Sequence, residues 1–452
     1  MSTSSGARFR AALVSLAAVG LALAAASPAL ADTATPVAPT NLLNEGRACV
    51  TDESAAQYFN TNGGLEIEGA PAVSDGSSVL ATIDYQLWPV GDPTDISSWP
   101  LSGATNLEDP FFAPSSDFTD GQTYAWDAAT VVEGVTSAFS TPCYLIVDDT
   151  YPANPPTVTS SNYSSTGQNQ GGAPVRVTFG ANGVSDVAGY AFNWVGTASP
   201  STYTTPSDPD TDSAGAVQAS TVGGSVTLNL IPPNDSGLME LSVLSMDRAG
   251  NSSPPTTYIF TVSGDAPTVT LQDKLPGYGT PSTYDLTPNA AIEAQSPVVS
   301  YNIQIAGDPN GQQNYTVAAK KNGTAQTQIT LDSTFGEWVQ VSSVSADGWV
   351  SQPGDHSITT TPTVSSNVYT ENGTSGGVGV AGTFTFTPPV KDVASYSYSF
   401  DYGTTQTIVK ANHGTAQLSW TPTASGSYDI EVYAILKDGT ELYPYDYFFS
   451  VD

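Results

Sequence analysis

Residues 185 to 194 read Ser-Asp-Val-Ala-Gly-Tyr-Ala-Phe-Asn-Trp, so Tyr190, Phe192 and Trp194 fall at every second position. Side chains of a β-strand alternate between its two faces, and this period of two predicts a strand with three rings on one face. The pattern returns at Lys391-Asp-Val-Ala-Ser-Tyr-Ser-Tyr-Ser-Phe400, with Tyr396, Tyr398 and Phe400 in the same phase. A strand with rings on one side and small or polar residues on the other suits the core of two stacked sheets. Pro156-Thr-Val opens the first copy and Pro362-Thr-Val the second, while Pro267-Thr-Val269 supplies a third start. Gly323-Thr-Ala-Gln326 recurs 91 residues later as Gly414-Thr-Ala-Gln417, and Asp347-Gly348 recurs at the same offset as Asp438-Gly439. Tyr258-Ile-Phe-Thr-Val262 is echoed by Tyr447-Phe-Phe-Ser-Val451, so the repeats match at both ends. Such self-similarity predicts an array of sandwich modules.

The region before the first repeat carries strand patterns at Ala48 to Val50, Leu65 to Ile67, Val79 to Trp88, Thr123 to Ala129 and Tyr144 to Val147. Turn residues separate them, which predicts a further module. The predicted organisation is a signal peptide at 1–31, a disordered Thr/Pro/Ala lead-in at 32–40, and four β-sandwiches at 41–149, 150–264, 265–361 and 362–452. Asp148 to Pro156 is expected to be a proline-stiffened hinge. Trp338 is set against Tyr428 and Tyr124, where a large ring suits packing in every copy.

Composition sharpens this picture at three points. Arg8 and Arg10 precede an Ala/Leu/Val run, and Ala29-Leu30-Ala31 has the small residues of a cleavage site, which predicts export and no membrane span. The net charge of −32 excludes nucleic acid as a natural partner, since phosphate binding needs a basic surface. Cys49 and Cys143 are the only cysteines, and an even count in one module of an exported chain predicts one disulfide.

Candidate chemistry is sparse. The two histidines, His356 and His413, stand far apart in turn-like contexts with no Cys or His near either, which marks them as loop residues in place of zinc ligands, and no Gly-x-Ser-x-Gly elbow follows a strand to point to a triad. Asp208, Asp210 and Asp212 resemble the opening of a calcium loop and form a candidate metal set, although Pro209 stiffens it and no Glu closes it. Asp148 and Asp149, with Asp247 and Asp265, suggest calcium at the junctions between modules. Tyr443 and Tyr445 begin an alternating aromatic ladder with Tyr447 and Phe449 and are candidate sugar-stacking residues, against the plainer reading of a core strand. The 43 acids guarantee some carboxylate pairs, which alone do not make a glycoside hydrolase.

Gly121-Gln-Thr-Tyr124-Ala-Trp126, the Pro-Thr-Val starts and the Asp247-Arg-Ala-Gly-Asn251 hairpin resemble tandem immunoglobulin-like and fibronectin type III-like modules of secreted proteins from high-GC Gram-positive bacteria. The resemblance covers nearly all of the chain after residue 31 and implies a fold without implying an activity. In that likeness Cys143 lies on the last strand of its module, so the expected bridge is not the inter-sheet bridge of antibody domains. The expectation is a secreted, non-catalytic, monomeric rod that acts as spacer or adhesion surface outside the cell or loosely on its envelope. Its partner would be a protein or an extracellular glycan. Polysaccharide binding is the alternative, and hydrolysis the remote third.

Overall fold

The computed structural model describes residues 35–76, 80–100, 110–199, 214–234, 237–401 and 403–452. The signal-peptide segment and the Asp208, Asp210, Asp212 set therefore lie outside the described residues. Among the described residues the chain is all-β, with four tandem β-sandwiches of the immunoglobulin and fibronectin type III kind. The described residues fall into two compact units, one of those in 35–57 and 61–147, the other of 58–60 with those in 148–452. Among the described residues the only α-helix, Ala290–Gln295, is short, and no helix is long and apolar enough to cross a membrane.

In the first unit, Pro36–Asn44 lies between Arg47–Ala48 and Leu65–Val73, and Phe111–Ala113 completes that sheet. The facing sheet is built on Thr123–Val132, with Thr82–Pro89 on one side and Cys143–Val147 on the other. Between the two sheets Trp126 is fully buried, and its Nε1 donates to Asn44 Oδ1 at 2.7 Å. Cys49 and Cys143 form the expected disulfide, with Cα atoms 5.4 Å apart. One expectation is corrected: residues 36–40 of the supposed disordered lead-in are strand. Their prolines hid it, and the register shifts between Val37 and Thr40 and between Thr40 and Leu43 show how the sheet accommodates Pro39, at an irregularity where no ladder donor is required.

The second unit holds three sandwiches of one topology. In the third, Thr268–Leu271, Pro281–Thr287 and Ala325–Thr330 form one sheet, and the other runs in the order Gln313–Ala318, Val298–Ala306, Glu337–Ser345, Gly354–Ile358. The fourth repeats this with Thr363–Ser366, Gly382–Thr387 and Ala416–Trp420 against Thr407–Lys410, Val393–Phe400, Gly426–Leu436 and Tyr445–Val451. The second follows the same order and adds the two-residue strand Gln168–Asn169, parallel to Thr256–Val262. Tyr190 and Phe192 on Gly189–Asn193 are buried, with Trp194 just beyond it, and Tyr396 repeats the role in the fourth sandwich. The aromatic alternation thus lies on the core face in both copies.

Trp338 departs from its expected role. It is 51% exposed, while its neighbour Glu337 is buried. At the 91-residue offset of the repeat Trp338 matches Asp429, and Glu337 matches Tyr428. A one-residue slip moves every side chain of a strand to the other face, and aligning ring with ring made that slip. Tyr428 packs inward on Trp420 and Phe449, and its hydroxyl donates to Ala424 O at 2.8 Å.

Candidate functional site

Fibronectin-like modules joined by flexible linkers would leave each core separate. Here the buried apolar side chains of the second, third and fourth sandwiches form one connected cluster. The joint between the second and third sandwiches centres on Asp265, at the Asp-Ala-Pro start of the third. Its Oδ2 accepts from Trp349 Nε1 at 2.9 Å and Asn234 Nδ2 at 3.0 Å, while Oδ1 accepts from the Gln352 amide at 2.8 Å. Asn234 belongs to the second sandwich and also donates to Val350 O, so it ties both sides. The Asp265 side chain is fully buried, and that burial raises its pKa above the usual carboxylate value against the opposing pull of its three donors. A buried carboxylate held by three donors is costly to strip of any one of them.

Trp349 extends the joint through packing. Its ring is fully buried and lies nearly parallel to Tyr163 of the second sandwich, with centroids 5.9 Å apart and planes 8° apart. Gly171 leaves the room for this: a Cβ there would meet Trp349 Cζ2 at 2.7 Å and Asp265 Oδ2 at 2.8 Å. Sequence reasoning found Asp265 but assigned it to calcium, and it missed Trp349, Asn234, Gln352 and Gly171. A signal existed: the Asp347-Gly348 turn is followed by Trp349 where the repeat has Thr440.

The third and fourth sandwiches meet around Tyr443. Its amide donates to Thr334 O at 3.0 Å, and its ring lies 5.1 Å from that of Phe335. The Lys391 amide donates to Pro276 O at 2.9 Å, and its ammonium pairs with Asp273 at the surface. Tyr443 and Phe335 remain 47% and 74% exposed. Tyr445 is half-buried, and its hydroxyl donates to Glu371 Oε1 at 2.5 Å. Tyr447 and Phe449 are core residues. The ladder therefore splits, with Tyr443 at the joint, Tyr445 at the rim and the remainder inside.

The Asp247-Arg-Ala-Gly-Asn251 hairpin organises the other acidic cluster. Asp247 accepts from the Ala249 and Asn251 amides and from Asn251 Nδ2, at 2.8–2.9 Å. Asn251 Nδ2 also donates to Asp148 O, and its Oδ1 accepts from Asn60. The Arg248 guanidinium carbon lies 3.7 Å above the Tyr58 ring. Each of Asp148, Asp186 and Asp247 offers one oxygen within 4.8 Å of the other two, a spacing at which a divalent cation fits. Burial pushes Asp247 up to about 6, the Asn251 side chain opposes this, and the charge of Asp148 adds to it. Of the acids expected at junctions, Asp148 and Asp247 thus come together with Asp186, whereas Asp265 holds the second sandwich to the third.

No family model matches the chain, and no curated protein matches it. Among solved structures it is similar to the FN1–FN3 domains of chicken CNTN1, at 13% identity over 71% of this chain and 98% of that one, with a TM-score of 0.20. It is also similar to a tetra-tandem repeat in the extending region of a large adhesion protein, at 14% identity over 88% of this chain and 99% of that one, with a TM-score of 0.20. Likeness at this level says nothing of what the chain binds.

Proposed function

We propose that this chain is a non-catalytic structural or adhesion protein working outside the cell, in which sandwiches two to four form a spacer of fixed internal geometry. The observation that carries the reading is the Asp265 joint, where three donors from two sandwiches and the Tyr163–Trp349 stack replace a flexible linker. A spacer that must hold a binding surface at a set distance needs its joints ordered before the partner arrives, because ordering them on binding would cost affinity. The disulfide in the first unit supports work in an oxidising compartment.

Calorimetry of the full chain tests the joint. The expected trace has one transition for the disulfide-bonded unit and one for sandwiches two to four together, and Asp265→Ala divides the latter. Adhesion is tested by coating the full chain on a surface and comparing retained bacterial cells with an albumin coat. Equal retention would leave a spacer without adhesion.

A further inference from the structure

One sheet of the third sandwich turns a row of amides and hydroxyls away from its core. Gln304 stands opposite Asn314 on one neighbouring strand and Gln340 on the other, and Asn302 stands opposite Thr316 and Ser342. These six residues line an open groove of about 430 Å³, within the size range of ligand sites. None of them is charged, on a chain of net charge −32. Thr316 Oγ1 donates to Asn302 Oδ1 at 3.1 Å, which leaves the Asn302 amide hydrogens to donate. Gln340 Nε2 donates to Asp355 Oδ1 at 3.0 Å, which leaves its own carbonyl oxygen to accept. Asp355 Oδ1 also accepts from Trp338 Nε1 at 3.2 Å, so the half-exposed indole is fixed beside the row.

The same face differs in the sister sandwiches. In the second, Ala191, Ala216, Leu244 and Met246 make it a small buried apolar cluster. In the fourth, Glu431 stands directly opposite Asp446 and the face is acidic. A cationic partner would find its complement on the fourth sandwich, and an anionic one would be repelled by the chain as a whole. The third sandwich offers donors and acceptors in alternation, no net charge beyond Asp355, and one anchored ring. That set matches a neutral polyhydroxylated chain, whose hydroxyls both donate and accept and whose C–H face packs on an indole.

We propose that this groove binds a neutral polysaccharide, with one sugar ring against Trp338 and its neighbours' hydroxyls on the Asn302–Gln340 row. The inference deepens the binding-surface part of the function proposed above. It requires neither Tyr443 nor Tyr445, the sequence candidates for stacking.

The test is affinity electrophoresis of the full chain through gels containing hydroxyethylcellulose, dextran, glycol chitin or, as the charged control, alginate. The expected result is retardation by at least one neutral polymer and none by alginate. Trp338→Ala and the double variant Asn302→Ala with Gln340→Ala should each weaken the interaction tenfold or more while leaving the melting profile in place. Tyr443→Ala should leave it unchanged. Retardation that survives both groove variants would overturn this site while leaving glycan binding by the chain intact. Absence of retardation on every neutral gel, or retardation by alginate alone, would overturn the proposal itself. Neither result bears on the joint, which calorimetry reads separately.

Discussion

Removing Trp349 tests whether the second and third sandwiches are held by side-chain packing or merely adjoin. Trp349 is fully buried, stacks on Tyr163 and supplies one of three donors to a buried carboxylate. Trp349→Ala is expected to cost about 3–5 kcal/mol for the lost ring and its cavity. That figure alone cannot separate the third sandwich's own core from the joint, so the informative quantity is the coupling to Tyr163→Ala. If the rings stack across the joint, the double variant loses less than the sum of the singles by about 0.5–1.5 kcal/mol, the worth of an aromatic pair beyond its buried area. Denaturant unfolding of the full chain, followed by far-ultraviolet circular dichroism, measures all four corners of the cycle. Additivity within about 0.3 kcal/mol would refute the argument, because residues without a shared contact behave that way.

Two further outcomes follow from the geometry. Replacing Cys49 and Cys143 with serine removes the cross-link over a sequence separation of 94 and should lower the first unit's stability by about 2–5 kcal/mol, leaving the second unit's transition in place. Calorimetry reads both together, and a shift in the second transition would contradict the division into units. Asp247, pushed up to about 6, binds its proton more tightly in the folded chain than at its ordinary value of 3.8. The stability it contributes is therefore full below that ordinary value and lost as pH rises through about 6. Between pH 7.5 and 4.5 this is worth about 2 kcal/mol, from 1.36 kcal/mol per pKa unit less the part not yet gained at pH 4.5. Asp247→Asn should flatten the pH profile of the second unit by that amount, and an unchanged profile would show the carboxylate to be unperturbed.

The sandwiches were legible because burial on one face of a strand writes a period of two into the sequence, as in Tyr190, Phe192 and Trp194. Pro36–Asn44 was not, because Pro36 and Pro39 break the alternation that would have marked it. The joints were least legible. Tyr163, Gly171, Asn234, Asp265 and Trp349 meet across nearly 190 residues of chain, and no local period records such a meeting. Pro267, which marks the start of the third sandwich in the sequence, flanks a joint that is set by side chains distant along the chain. The groove on the third sandwich was hidden for a related reason: the size of Trp338 suits a core position, and matching it to Tyr428 by ring sets the strand one residue out of register.

The most direct test of a fixed joint is the distribution of distances between spin labels on the second and third sandwiches. Asn229→Cys and Gln328→Cys place labels at exposed strand positions, and among the described residues both native cysteines are already paired, so labelling is specific. Pulsed dipolar spectroscopy on the full chain should give one narrow distance peak, no broader than that of a label pair within a single sandwich. It should broaden in Asp265→Ala. A broad or multi-peaked distribution in the unmodified joint would show two modules swinging on a hinge and would contradict the spacer of fixed geometry.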